Sequence, residues 1–438
     1  MKNRILTTAL LSISFLSVSA QEEWTLPKCI EYAIEHNLNI KQQEANKMTS
    51  EIELNTSKWS RLPDFNGSVN QSFTYGRSLQ MNNTYDDRNT KSSYFGLSTN
   101  VPLFTGFQIP NTIALNKLNL KAAIEDLNKA KEDISVQVAS AFTQILYNKE
   151  LAKVAQNQVA LSREQLRMKQ AYFENGKASE AEVYEAKSRV AQDEMSAVQA
   201  ENNYNLSLLD LSQMLELPTP ENFKIVIPDI KDEFKEISLP DEIYNEVVMN
   251  KPAVKAAQYR LDGADRSIKI AKSSYYPQLS LSAGINTNYY VTSGMEHKSF
   301  GSQFNNNLSK NFGFNLSIPI FNRFSVRNRV RSAKVQKLAY SWRLDQAKKD
   351  LYKEIQQAYY QAVAAESKYK SSNIALEAAD VSFKLMSEKY SNGKANATEY
   401  NEVRTNMLKA LSDKIQAKYE YLFRTKVLDF YKGVPLNL

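Results

Sequence analysis

Two glutamates three residues apart, Glu399 and Glu402, are the groups in this chain best spaced for ionic work. They follow an Asn392-Gly393 turn, and on a helix a spacing of three puts both carboxylates on one face. Such a pair attracts cations. Little else points to catalysis. His36, His297 and the single cysteine, Cys29, leave little for metal or triad chemistry, and no G-x-G-x-x-G, P-loop or G-x-S-x-G occurs. His36 reads as a helix-end residue, His297 as a loop residue, and Cys29 as part of the apolar face of a first helix with Ile30, Ala33 and Ile34. No enzyme, cofactor or metal site is expected. A second constellation is basic: Arg323, Arg327, Arg329, Arg331, Lys334 and Lys337 follow a strand and open a long helix. Cations near a helix N-terminus oppose its dipole, so their placement needs another cause. Acidic lipid headgroups, a lumenal anion-favouring belt and a merely solvated face all fit.

The elements that carry these residues come in two copies. Phe95-Gly-Leu-Ser-Thr-Asn-Val-Pro-Leu-Phe104 returns as Phe312-Gly-Phe-Asn-Leu-Ser-Ile-Pro-Ile-Phe321, and Asn175-Gly-Lys-Ala178 returns as Asn392-Gly-Lys-Ala395, both 217 residues later. Leu26-Pro27 and Asn37 recur as Leu239-Pro240 and Asn250 at an offset of 213. A register held without a gap from 95 to 178 marks a tandem duplication. The expected organisation is a signal peptide at 1–20, a first repeat at 21–217, a connector at 218–238 and a second repeat at 239–438. The signal rests on Lys2 and Arg4, an apolar run from Ile5 to Val18, and Val18-Ser19-Ala20 as cleavage site, and it takes the protein out of the cytoplasm. Lys2 and Arg4 supply two of the seven excess charges, so the mature chain carries +5. Bases and acids are mixed along it, which argues against a nucleic-acid partner.

Within each copy the hydrophobic period changes. Residues 21–58 and 239–272 read as amphipathic helix, broken near Asn37-Leu-Asn39 and Asn250-Lys-Pro252, with Ser238 and Asp241 as a capping box. Alternation then takes over. Phe65, Val69, Phe73 and Tyr75 share one strand face; Phe95, Leu97, Val101 and Leu103 share the next. In the second copy the runs are Leu279, Leu281, Ala283, Ile285, Tyr289 and Val291, then Phe312, Phe314, Leu316, Ile318 and Ile320. Four such strands with Ser, Asn, Thr and Gln between the apolar positions match transmembrane β-barrel strands, against the alternative of a soluble sandwich. Stretches 77–93 and 292–310 read as loops at the far end of each hairpin. Long helices follow, free of Pro and Gly from Asn111 to Glu174 and from Asn322 to Asn392. Seams Ile134, Val138, Ala141, Ile145 and Leu351, Ile355, Ala358, Ala362 predict coiled-coil packing, aided by Ala139, Ala364 and Ala365. Gly176 and Gly393 turn each long helix into a partner, 179–216 and 396–431, and both are expected at positive φ. A sheet in lipid must close, four strands are too few for a barrel, and several chains must therefore share one.

The motif set resembles the TolC family of outer-membrane efflux ducts over essentially the whole mature chain. It comprises Val101-Pro102-Leu-Phe104 and Ile318-Pro319-Ile-Phe321, Pro63 and Pro277 opening the hairpins, and an aromatic-x-x-Gly-x5-acid turn. That turn reads Phe173-x-x-Gly176-x5-Glu182 and Tyr390-x-x-Gly393-x5-Glu399. The resemblance implies an α+β membrane protein. It implies a homotrimeric duct in which each chain gives four strands to a shared twelve-stranded β-barrel and long antiparallel helical hairpins to a periplasmic α-barrel. It further implies a place in the outer membrane, in contact with its lipid and extending into the periplasm. A periplasmic membrane-fusion adaptor would dock at a tip made of Phe173, Gly176, Lys177, Glu182, Tyr390, Gly393 and Lys394, and through it an inner-membrane pump of RND or ABC type. The aperture acids fall on Glu399 and Glu402. One departure is Ala395, with Lys394 beside it, where well-studied members carry a basic residue two places after the glycine. The function implied is passive export of small molecules or polypeptide in tripartite efflux or type I secretion. A periplasmic coiled-coil adaptor or scaffold is the alternative.

Overall fold

A computed structural model describes residues 23–79, 83–218, 223–228, 234 and 236–437; the segment read as a signal peptide lies outside the described residues. In chain order β1 (Glu23–Trp24), α1 (Leu26–His36), α2 (Leu38–Trp59), β2 (Asn66–Thr74), β3 (Arg77–Leu79), β4 (Tyr85–Asp87), β5 (Thr90–Phe104), α3 (Gln108–Glu174) and α4 (Glu180–Met214) come first. After β6 (Lys224–Ile225) follow α5 (Pro240–Val247), α6 (Pro252–Ser273), β7 (Gln278–Thr292), α7 (Phe300–Asn306), β8 (Ser309–Ser317), α8 (Ser325–Ser391) and α9 (Ala397–Tyr431). The duplication is visible in the bounds. Helices α3 and α8 each have 67 residues, α4 and α9 each have 35, and both pairs are displaced by 217.

Two compact units cut across the repeats. One comprises residues up to Ile40 with Lys131–Ile243 and Ile355–Leu438, the other Lys41–Ala130 with Tyr244–Glu354. Each draws on both copies, and the boundaries fall within α2, α3, α5 and α8.

The second of these units holds an antiparallel sheet of order β2-β5-β7-β8. Its register carries the alternation across all four strands. Val69 sits opposite Phe95, Leu97 opposite Ile285, Val101 opposite Leu281, and Leu281 in turn opposite Phe314. All share one face. The other face aligns Asn66, Ser98, Gly284 and Asn311 in one row, and Asn70 with Tyr94 and Asn288 in another. The sheet is staggered, since β2 pairs only with Thr90–Ser98 and β8 only with Gln278–Asn286. Side chains clasp the overhangs. Asp64 donates its N–H to the Asn100 carbonyl (3.2 Å) and accepts the Asn100 N–H on its carboxylate (2.6 Å). Gln303 of α7 accepts from the Tyr290 N–H (3.1 Å) and donates to the Tyr290 carbonyl (3.0 Å). Phe300 and Phe304 seat α7 against Phe95, and Phe300 also meets Tyr289. The stretches read as loops thus contain the β3–β4 hairpin and α7.

The strand-end prolines behave differently in the two copies. Pro102 lies inside β5, and its missing donor coincides with a register shift between Pro102 and Phe104, as expected of a ring without an N–H. Pro319 falls two residues after β8 ends. Pro277 immediately precedes β7, and Pro63 precedes β2 by three residues.

The other unit is built from helical hairpins. Ile134, Val138, Phe142 and Ile145 are buried on α3, and Ile355, Ala358, Ala362 and Ala365 on α8. Phe142 fills the place expected of Ala141, which is only half-buried, and Ala364 faces outward. Each large apolar side chain of such a seam contributes about 1.5–3 kcal/mol on burial. Cys29 and Ala33 are fully buried on α1, and desolvation pushes the Cys29 thiol up to about 12. His36 stands in the last turn of α1, with Nδ1 3.0 Å from the Tyr32 carbonyl. Helix α5 begins at Pro240, too late for Ser238 to cap it, and the Ser238 hydroxyl instead accepts from Lys432 Nζ at 2.7 Å.

Candidate functional site

Both hairpin tips end their long helix in the same way. The Lys177 N–H reaches back to the Tyr172 carbonyl (2.7 Å), and the Lys394 N–H reaches back to Lys389 (2.8 Å). This closure requires the intervening residue in the left-handed region, and Gly176 and Gly393 have φ of +67° and +70°. The returning helices start with matched capping boxes. Ser179 caps α4 with Glu182 at the third position, and Asn396 caps α9 with Glu399. Short polar N-caps stabilise a helix by about 1 kcal/mol.

The predicted tip residues separate into two groups. Phe173, Gly176, Lys177, Gly393 and Lys394 are exposed. Tyr390 is turned inward, stacked on Tyr400 at 4.7 Å between centroids, and the Tyr400 hydroxyl accepts from Gln165 at 2.6 Å. Glu182 is brought to Tyr390 through Lys169, whose ammonium lies 2.8 Å from the carboxylate and 5.2 Å from the Tyr390 ring centroid. The Lys169 bond, then the Ser179 N–H, holds the Glu182 carboxyl down to about 2. Lys169 therefore places a cation beside the two residues where Ala395 offers none.

Glu399 and Glu402 both lie in the first turns of α9 and are exposed. The Glu399 carboxylate also accepts the Asn396 N–H at 3.0 Å, so part of its hydrogen-bonding capacity serves the cap. Two residues beyond Glu402 lies a group that sequence reading missed. Arg404 is fully buried and donates to Asp193 at 2.7 Å, with Arg189 3.4 Å from the same carboxylate. Its nearest sequence signal, a cation among mixed charges, looks like that of any solvated lysine.

The strand-to-helix turn forms a second candidate region. Gly106 and Phe107 have φ of +60° and +66°, and their counterparts Arg323 and Phe324 have +53° and +60°. Phe104 and Phe107 meet edge to face at 5.3 Å, as Phe321 and Phe324 do at 5.6 Å. Glycine suits the first turn twice over, because a Cβ at Gly106 would also strike the Ser273 carbonyl. Arginine takes that strained backbone in the second turn. Among the other predicted bases, Arg327 lies over the Phe324 ring at 5.9 Å, Arg329 donates to the Ser274 hydroxyl, and Lys337 pairs with Asp265 at 2.7 Å. Arg323, Arg331 and Lys334 are exposed. No candidate metal cluster occurs among the described residues.

Comparison with known proteins agrees with this geometry. The profile of the outer membrane efflux protein family matches residues 29–216 and 243–433. Outer membrane efflux protein BepC of Brucella suis is 19% identical over 434 residues, 98% of this chain and 89% of the relative. Toxin and drug export protein A of Aggregatibacter actinomycetemcomitans is 21% identical over 263 residues, 60% of this chain. The match spans only about half of that relative's length, 56%. The CmeC outer membrane channel of Campylobacter jejuni superposes with a TM-score of 0.76 at 16% identity, covering 100% of this chain and 95% of CmeC. The fold is thus that of the TolC-like channels, and the chain belongs to the outer membrane efflux protein family.

Proposed function

We propose that the chain is the outer-membrane exit duct of a tripartite efflux or type I secretion system, conducting its cargo passively and catalysing nothing. One observation carries this reading: a four-stranded sheet, apolar on one face and Ser/Asn-rich on the other, in which the outer margins of the edge strands β2 and β8 meet no further strand among the described residues. Lipid offers no hydrogen bonds to those edges, so pairing with further copies must satisfy them. Three copies would give twelve strands, with the apolar face to lipid and the polar face to a water-filled lumen. The exposed Gly176 and Gly393 turns, with Lys177 and Lys394, would receive a periplasmic adaptor that links the duct to an RND or ABC pump. Glu399 and Glu402 would line the periplasmic opening. Names of relatives support the role, since BepC is an outer membrane efflux protein and AprF of Pseudomonas aeruginosa an alkaline protease secretion protein. The test is mass measurement of the detergent-solubilised protein together with planar-bilayer conductance. A trimer that conducts ions is expected; a stable, non-conducting monomer would refute the duct.

A further inference from the structure

This inference rests on the reading that the sheet crosses the outer membrane, and it concerns the turn where β8 gives way to α8. Ile318, Ile320, Phe321 and Phe324 there are 58%, 93%, 72% and 58% exposed. Directly after them the charge becomes one-sided. No acidic residue occurs between Glu296 and Asp345, while Arg323, Arg327, Arg329, Arg331, Lys334, Lys337 and Arg343 fall in the second half of that interval. Among the described residues Arg323, Arg327, Arg331 and Lys334 have no carboxylate partner, and all four are exposed. The inner side of α8 is taken by Val326 and Val330, packed on Ala271. Arg327, Arg331 and Lys334, spaced by four and three, share another side.

The first copy supplies the control. Its equivalent stretch, Gly106 to Lys117, has the same left-handed turn and the same edge-to-face phenylalanines but no arginine. Fold alone therefore does not call for the arginines. They also oppose the α8 dipole, and Arg323 bears backbone strain that glycine avoids. Costs of this kind are offset where a ligand supplies negative charge. An aqueous lumen gives no reason for four exposed apolar side chains beside the bases, whereas a membrane interface puts aromatic and basic residues together at headgroup level.

We propose that Arg323, Arg327 and Arg331 bind the phosphodiester headgroups of anionic phospholipid in the periplasmic leaflet of the outer membrane, with Phe321 and Phe324 seated in the adjoining acyl boundary. Arginine's planar fork suits a phosphate better than a lysine ammonium does.

The full-length protein in neutral detergent is titrated with dioleoylphosphatidylglycerol, dioleoylphosphatidylcholine or inorganic phosphate, and the thermal transition of the oligomer is followed. Phosphatidylglycerol alone should raise the midpoint, with apparent affinity falling about fivefold for each arginine removed in the Arg323→Gln, Arg327→Gln, Arg331→Gln series. A triple arginine-to-lysine variant should keep part of the response. Should the triple glutamine variant not assemble, Arg323→Gly carries the test, because it restores the residue of the first copy and relieves the turn. It should be at least as stable as wild type without lipid and respond less to phosphatidylglycerol. An equal lipid response in wild type and variants would overturn the proposal. So would a shift reproduced by inorganic phosphate, or an altered anion-to-cation permeability ratio with the lipid response intact, which marks a lumenal belt. Failure of the spanning reading looks different: wild-type protein would then give no conductance at all.

Discussion

The two hairpin tips share a backbone and differ in what they do with one acid. Glu182 and Glu399 are equivalent, both closing a capping box at the third helical position. Glu182 is also gripped by Lys169 on the neighbouring long helix. The position equivalent to Lys169 in the second copy is Met386, so no cation from that position reaches Glu399. Glu182 is thus held across two helices, while Glu399 is held only by the cap of its own, although Tyr390 stacked on Tyr400 joins the helices of the second tip as well. The two copies keep one turn geometry, and the change from Lys169 to Met386 leaves one carboxylate paired and the other exposed.

The largest test of this division lies just behind the tips. Arg404→Leu should leave Asp193 buried without its closest partner and cost about 3–5 kcal/mol. The equivalent Lys187 is exposed, and Lys187→Leu should change the midpoint of thermal unfolding by little. Similar losses at both sites would break the contrast between copies.

Next in size are the turns. Gly176→Val and Gly393→Val each force a β-branched residue into positive φ, at about 1–2 kcal/mol per site. Open space surrounds both positions, so strain rather than a clash acts, and oligomer yield should hold while export in cells falls. Unchanged export from both variants would remove the tips from adaptor docking.

A smaller effect is set by pH. With the Glu182 carboxyl lowered to about 2 from an ordinary 4.5, its stabilisation is complete above about 4.5 and is lost only as pH falls toward 2. Lys169→Met should raise that carboxyl toward its ordinary value and shrink the stability lost on acidification. Carboxyl titration of selectively labelled glutamate by NMR would record it, and an unmoved titration would show that Lys169 does not hold the tip. Smallest of all, Met386→Lys should transplant the fastening to Glu399 and weaken cation preference in single-channel recordings, in the same direction as Glu399→Ala with Glu402→Ala. Wild-type selectivity in both variants would take these acids away from the opening.

Much of this architecture was legible in the sequence because period and repeat are local properties. The alternation through Leu279 to Val291 and the Pro-free run to Glu174 predicted β7 and α3 closely, and the glycine turns predicted their own φ. What escaped depends on partners distant along the chain. Nothing near Arg404 reveals that Asp193, over two hundred residues away, will meet it in the interior. Lys169 likewise reads as one more surface cation until α4 folds back and sets Glu182 beside it. Helix α7 was hidden for a different reason: seven residues rich in Ser, Gln and Asn resemble a loop until Phe300 and Phe304 find Phe95.

The clasped overhangs of the sheet bear on how faithfully copies join. Asp64 and Gln303 occupy backbone groups that a stray strand would otherwise recruit, one on β5 and one on β7. Among the described residues, what remains open is the margin of β2 on one side and of β8 on the other. In the proposed assembly these two unlike margins would join head to tail, which gives a ring where the rotation per copy divides a full turn. In the proposed ring, a side-chain amide and a carboxylate, each spent on a single residue's backbone, would act as proofreading for closure.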